Sequence, residues 1–239
     1  MKLNIYEIGM FDVVISLIPI IFVIGILAIW SLNSITAIYA SLRMLIQLIV
    51  IGYILASIFA LNDPNIVVLI LVLMLLIASW ITLRPLKEKN SNLFLKALIA
   101  ITIGGVLTLI FTTLVVLKID YWYQPEYVIP LAGMIFSNAM NTVSLAAERF
   151  ESDFLSGSSY EDARNRAFTA SLIPLINTFF AVGLVALPGM MTGQILSGVS
   201  PLIAAKYQIV IMSVLFGSSG ISAAIFLLLQ KNAYSHASS

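Results

Sequence analysis

Runs of about twenty apolar residues recur along this chain with almost no charge inside them. They set the fold class. An α-helix rises about 1.5 Å per residue, so about 20 residues cross the roughly 30 Å hydrocarbon layer of a bilayer. Between the runs lie short polar connections. Of the 239 residues 61% are hydrophobic and 10% charged, and the mean hydropathy is +1.07. Soluble domains carry about 25% charged residues, so a water-soluble fold could not hide this surface. The expected fold is all-α: a polytopic membrane helix bundle, one domain over residues 1–239, with about seven transmembrane helices in the cell membrane.

The expected spans run from about Phe11 to Trp30, Ala40 to Ala60, Asn65 to Leu83, Leu93 to Leu117, Val128 to Ala147, Ser171 to Leu187 and Lys206 to Leu229. Asn62-Asp63-Pro64 is a turn signal between the second and third. The first run follows Glu7 and Asp12 instead of a basic segment, so it reads as a retained span and not a signal peptide.

The basic residues set the expected orientation. Loops after the first, third and fifth spans, with the C-terminus, hold Arg43, Arg84, Lys87, Lys89, Lys96, Arg149, Arg164, Arg166 and Lys231; the other side holds Lys2, Lys118 and Lys206. Nine of twelve on one side predicts, by the positive-inside rule, an outside N-terminus and a cytoplasmic C-terminus. Tyr121, Trp122, Tyr123 and Tyr127 then form an aromatic belt at the outer interface.

The chain carries no cysteine and one histidine, His236, in a polar tail expected to fray. There is no G-x-x-x-x-G-K-[ST] loop, no H-E-x-x-H and no G-x-S-x-G. The carboxylates all fall at or beyond span ends, which argues against a proton-coupled pump. Neutral polar groups do enter the spans. Arg43 and Gln47 share a face of the second; Asn138 and Asn141 lie on the fifth with Met134; Asn177 lies in the sixth; Gln194 follows Met190 and Met191. Such groups either bond between helices or line a polar path. The methionines add soft thioether ligands to the second reading. The net charge of +1 says nothing in itself about a nucleic-acid or acidic partner, and no nucleic-acid partner is expected.

The one long polar interruption, Glu148 to Ala170, holds Ser158 and Glu161 at capping-box spacing, with acidic residues ahead of basic ones. It predicts a cytoplasmic helix that starts near Ser159 and runs into the sixth span. Such a helix is either an ordinary surface element or a docking element for a soluble subunit.

Several stretches carry a family resemblance. They are Ser41 to Leu48 (SLRMLIQL), Pro130 to Asn141 (PLAGMIFSNAMN), Ser144-Leu145-Ala146, Ala170 to Asn177 (ASLIPLIN), Val182 to Gly198 (VGLVALPGMMTGQILSG) and Lys206 to Met212 (KYQIVIM). Together they resemble the FetB (YbbM) family of ABC-transporter permeases. The resemblance implies a permease half, itself without cofactor, paired with a separate FetA-like ATP-binding subunit that holds ATP and Mg. Two copies would form the working unit in the bilayer. It also implies export of iron or another metal or small solute. On that reading Tyr160, Glu161, Arg164, Arg166 and Phe168 dock the ATPase. Arg43, Gln47, Met134, Asn138, Asn141, Asn177, Met190, Met191 and Gln194 line the substrate path. Pro174 and Pro188-Gly189 serve as hinges. An ATP-independent channel or secondary transporter, and an intramembrane enzyme, are the competing classes.

Overall fold

A computed structural model describes residues 8–61 and 63–234. Lys2, Glu7, Asn62 and His236 lie outside them. Among the described residues every regular element is a helix, and no strand forms. The chain divides into two units, residues 1–61 and 62–239.

The first unit holds α1 (Met10–Ile15), α2 (Ile18–Ile29) and α3 (Ser34–Leu61). The first expected span is thus two helices with a tight turn at Ser16-Leu17. Pro19 explains the break: it lacks the N–H that would continue the ladder, and it sits in the first turn of α2. Asn33 opens α3, its side chain accepting from the Thr36 N–H at 3.0 Å. α1 and α2 bury no residue within the chain.

The second unit holds α4 (Pro64–Thr82), α5 (Ser91–Ile101), α6 (Leu107–Ile110), α7 (Pro125–Leu155), α8 (Tyr160–Ala181), α9 (Gly189–Leu196) and α10 (Pro201–Tyr234). Asp63 caps α4, accepting from the Asn65 N–H at 2.8 Å, and Asn90 caps α5, accepting from the Leu93 N–H at 2.8 Å. Two π-helical segments, Thr102–Val106 and Phe111–Val116, flank α6. Their sequence explains them. Gly104 and Gly105 loosen the ladder, and the Thr108, Thr112 and Thr113 hydroxyls bond back to carbonyls of their own helix.

α7 is the central element. Ala132, Ile135, Phe136, Ala139, Val143, Ala146 and Phe150 form its buried stripe at helical spacing. Ala163 and Ala167 of α8 and Ala223 of α10 are fully buried as well. Lipid tails are as apolar as side chains, so membrane helices associate through close packing, which small residues permit.

Six stretches of the described residues are long and apolar enough to cross a membrane: 10–29, 34–59, 64–82, 91–116, 125–155 and 201–231. The expected Ser171–Leu187 span is where sequence and structure differ. The helix begins at Tyr160, in keeping with the expected run-in from near Ser159, but stops at Ala181, short of Leu187. Glu161, Asp162, Arg164 and Arg166 fill its first turns, which lowers its apolar share. It still runs the depth of the bundle. The Tyr160 hydroxyl donates to the Leu227 carbonyl at 2.9 Å, the Phe179 ring lies 5.1 Å from that of Phe216, and Gly183 shares a cavity with Gln208. From Leu227 to Gln208 is about 28 Å of α10. The cap is Ser159, one residue beyond the Ser158–Glu161 pair: its hydroxyl accepts from the Asp162 N–H at 3.1 Å.

The turn from α7 to α8 gathers one end of this unit. Gly157 takes a positive φ of 89° there, and the Ser158 N–H returns to the Asp153 carbonyl at 3.2 Å. Buried Asp153 pairs with Arg149 at 3.1 Å. The Lys87 N–H donates to Glu151 at 3.2 Å, and Lys96 Nζ donates to Gln230 at 3.0 Å. These bonds bring Lys87, Lys96, Arg149 and Lys231 to the end that carries Arg164 and Arg166. At the opposite end Tyr121, Trp122 and Tyr123 cluster, with ring centroids 5.7–5.8 Å apart.

Candidate functional site

The end of the second unit opposite the basic cluster holds two cavities, and α9 contributes to both. The first, of about 580 Å³, lies between the start of α7, α9 and the first turns of α10. Met134, Met190 and Gln194 line it together, with Glu126, Tyr127 and Tyr207. The second, of about 380 Å³, lies between the end of α8, α9 and α10, and Met191 and Gln208 line it. Adjacent residues on a helix point about 100° apart. Met190 and Met191 therefore serve different cavities, as do Tyr207 and Gln208.

The first cavity brings together three residues expected from the sequence. Its donors are two neutral thioethers and one amide, with two phenols and one carboxylate. The Gln194 side-chain oxygen is shielded from solvent and lacks a hydrogen-bond partner within the chain. A buried unpaired carbonyl is unfavourable, typically by about 1–3 kcal/mol, so it is poised to accept from a ligand or to coordinate a cation. Among the described residues no three His, Cys, Asp or Glu side chains come together as a metal-binding group.

The other expected path residues are scattered. Asn138 turns back on its own helix, its Nδ2 donating to the Met134 carbonyl at 2.9 Å. Asn141 and Asn177 are exposed on α7 and α8. Arg43 and Gln47 lie one turn apart on α3 of the first unit; with the amide oxygen facing the guanidinium, Gln47 accepts from Arg43 Nε at 3.1 Å. Pro188 is the N-cap of α9, at a true helix break, whereas Pro174 sits inside unbroken α8. Sequence reasoning passed over Glu126, Tyr127, Tyr207 and Gln208. Glu126 read as an ordinary span-end acid. Gln208 stood in a recognised stretch, but spacing gave it no partner.

The expected docking residues divide into two groups. Glu161 and Arg166 are exposed. Arg164 is half-buried, stacked over the Tyr160 ring at 5.7 Å and donating to the Asn165 side chain at 3.0 and 3.1 Å. Tyr160 and Phe168 pack on the core; Tyr160 meets Phe150 edge-on at 5.8 Å.

The fold and cavities define a multi-pass α-helical membrane protein with polar groups gathered at one end of its bundle. The chain belongs to the family described as Uncharacterised protein family (UPF0014), whose model matches residues 10–234. It is 38% identical over 189 residues to the UPF0014 membrane protein slr1647 of Synechocystis sp., covering 73% of each chain. It is 33% identical over 198 residues to the probable iron export permease protein FetB of Escherichia coli, covering 77% of this chain and 75% of that one. It is also 30% identical over 200 residues to the protein ALUMINUM SENSITIVE 3 of Arabidopsis thaliana, covering 77% and 72%. No solved structure matches it.

Proposed function

We propose that this chain is the permease subunit of an ABC transporter in the cell membrane. On this reading it exports iron or another metal ion or small solute, and a separate ATP-binding subunit drives it. The observation that carries the proposal is α8 itself. One unbroken helix links the exposed charges Glu161 and Arg166 at the basic end to the cavity wall at Phe179. A helix with both ends engaged can transmit a push on one end to the other as a rigid body. The similarity to a probable iron export permease supports the substrate class. The positive-inside rule puts the basic end in the cytoplasm, where a soluble ATPase could reach it. Glu126, Met134, Met190 and Gln194 then offer the donors on the path. Two permease chains with two ATPases form the working unit.

The test is copurification with the soluble P-loop subunit. Wild type is expected to retain that subunit. Arg166→Glu is expected to lose most of it, because like charge at a complementary contact weakens association. A wild-type chain that captures no P-loop protein, yet moves solute alone in vesicles, would favour the ATP-independent channel.

A further inference from the structure

The second cavity has a composition of its own. Its lining includes Phe179, Gly183, Met191, Gln208, Met212 and Ser213, and no lining residue is charged. Gln208 is 7% exposed, and its side-chain oxygen has no partner within the chain. The backbone adds to this. α8 ends here: the Gly183 N–H donates to the Ala186 carbonyl at 2.9 Å, and the Leu184 N–H to Ala181 at 3.2 Å. Neither returns to the Phe179 or Phe180 carbonyl, as another helical turn would require. Gly183 holds the break at φ 81°, a conformation side chains rarely adopt. The cavity therefore faces the partially negative end of a long helix, an unpaired amide oxygen and two thioethers.

From these groups we infer that the cavity is a binding site for a soft monovalent metal cation, of the Cu(I) or Ag(I) class. The charge decides the valence. The cost of transferring an ion from water to a low-dielectric site grows with the square of its charge, and here no carboxylate or thiolate offsets it. A divalent ion is disfavoured on that ground. The donors decide the softness. Thioether sulfur prefers soft metals, while alkali ions need a cage of oxygens. Helix carbonyl ends and unwound turns at membrane depth hold cations in transporters by the same electrostatics. Met191 and Met212 supply sulfur, Gln208 oxygen, and the α8 terminus the favourable field. The inference goes beyond the proposed export function and needs no ATPase.

The experiment is equilibrium dialysis of the full chain in lipid nanodiscs against Ag(I), an air-stable soft monovalent probe, with Zn(II) and Na(I) in parallel. Wild type is expected to take up Ag(I) in preference to both. Met191→Leu with Met212→Leu keeps the volume and removes both sulfurs, and is expected to weaken uptake by about tenfold or more. Met44→Leu with Met140→Leu is expected to match wild type. Gln208→Glu tests the charge argument separately: it is expected to raise Zn(II) uptake relative to Ag(I). Wild-type affinity in the Met191–Met212 variant would overturn the assignment. So would loss of the site in Met134→Leu with Met190→Leu instead, or a wild-type cavity that holds lipid and takes up no silver. If the Met191–Met212 variant does not fold, an unchanged metal preference in Gln208→Glu overturns it independently.

Discussion

Replacing Gly104 with alanine is expected to unfold the second unit or lower its melting temperature sharply. A Cβ at this position would lie 2.8 Å from the Ser222 backbone nitrogen and 2.9 Å from the Ser218 carbonyl oxygen, and it would collide with the Ser222 hydroxyl. Overpacking of a core typically costs about 1–3 kcal/mol when side chains can move aside. Here two of the three obstacles are backbone, so the cost should reach or exceed the top of that range. Adding Ser222→Ala removes only the hydroxyl and should rescue little. Gly52→Ala, with nothing within 4 Å, should leave melting unchanged. Thermal unfolding in detergent, read by intrinsic fluorescence, measures all three. The π-helical segment and the buried Ser218, Ser219 and Ser222 show why the seam is so close: α10 meets this helix almost backbone to backbone.

Phe168→Ala and Arg166→Glu are expected to fail in opposite ways. Phe168 is half-buried against the core cluster and lines the groove between α8 and α10 with Ala224 and Leu227. Truncating a large core aromatic typically costs about 3–5 kcal/mol, so a partly buried one should lose about 2–3 kcal/mol. Arg166 is exposed; surface changes of that kind usually stay within about 0.5 kcal/mol. The pair therefore separates folding from docking. Phe168→Ala should melt early with or without the ATP-binding subunit. Arg166→Glu should melt like wild type and lose transport-linked ATP hydrolysis. Parallel melting curves and coupled ATPase assays check both.

Much of the bundle was legible because lipid imposes one rule on every span. Runs of apolar length gave the spanning stretches, and Asp63, Asn90 and Ser159 stand where helix starts need an acceptor. The α8 boundary was legible at its cap but not at its end. Leu184, Val185 and Leu187 look like the tail of a span, yet Gly183 turns the chain out of the helix before them. Apolar composition cannot signal that break; it reports solvent and not backbone geometry.

The candidate site was legible in part. Met134, Met190 and Gln194 converge because the short α9 folds back over the start of α7, and no spacing rule reaches across that return. Asn138 illustrates the opposite outcome. An amide inside a span can satisfy itself on the carbonyl four residues back, and this one does. Its presence in the sequence therefore carries less information than that of Gln194, whose oxygen is left open.

The central claim is that a motor outside this chain drives movement through it. The most direct measurement is metal efflux from sealed vesicles that hold the chain with its P-loop partner, with and without ATP. The account predicts efflux that requires both partner and ATP, and that Arg166→Glu abolishes while the chain stays folded. Efflux at the same rate without ATP, following only the metal gradient, would contradict it.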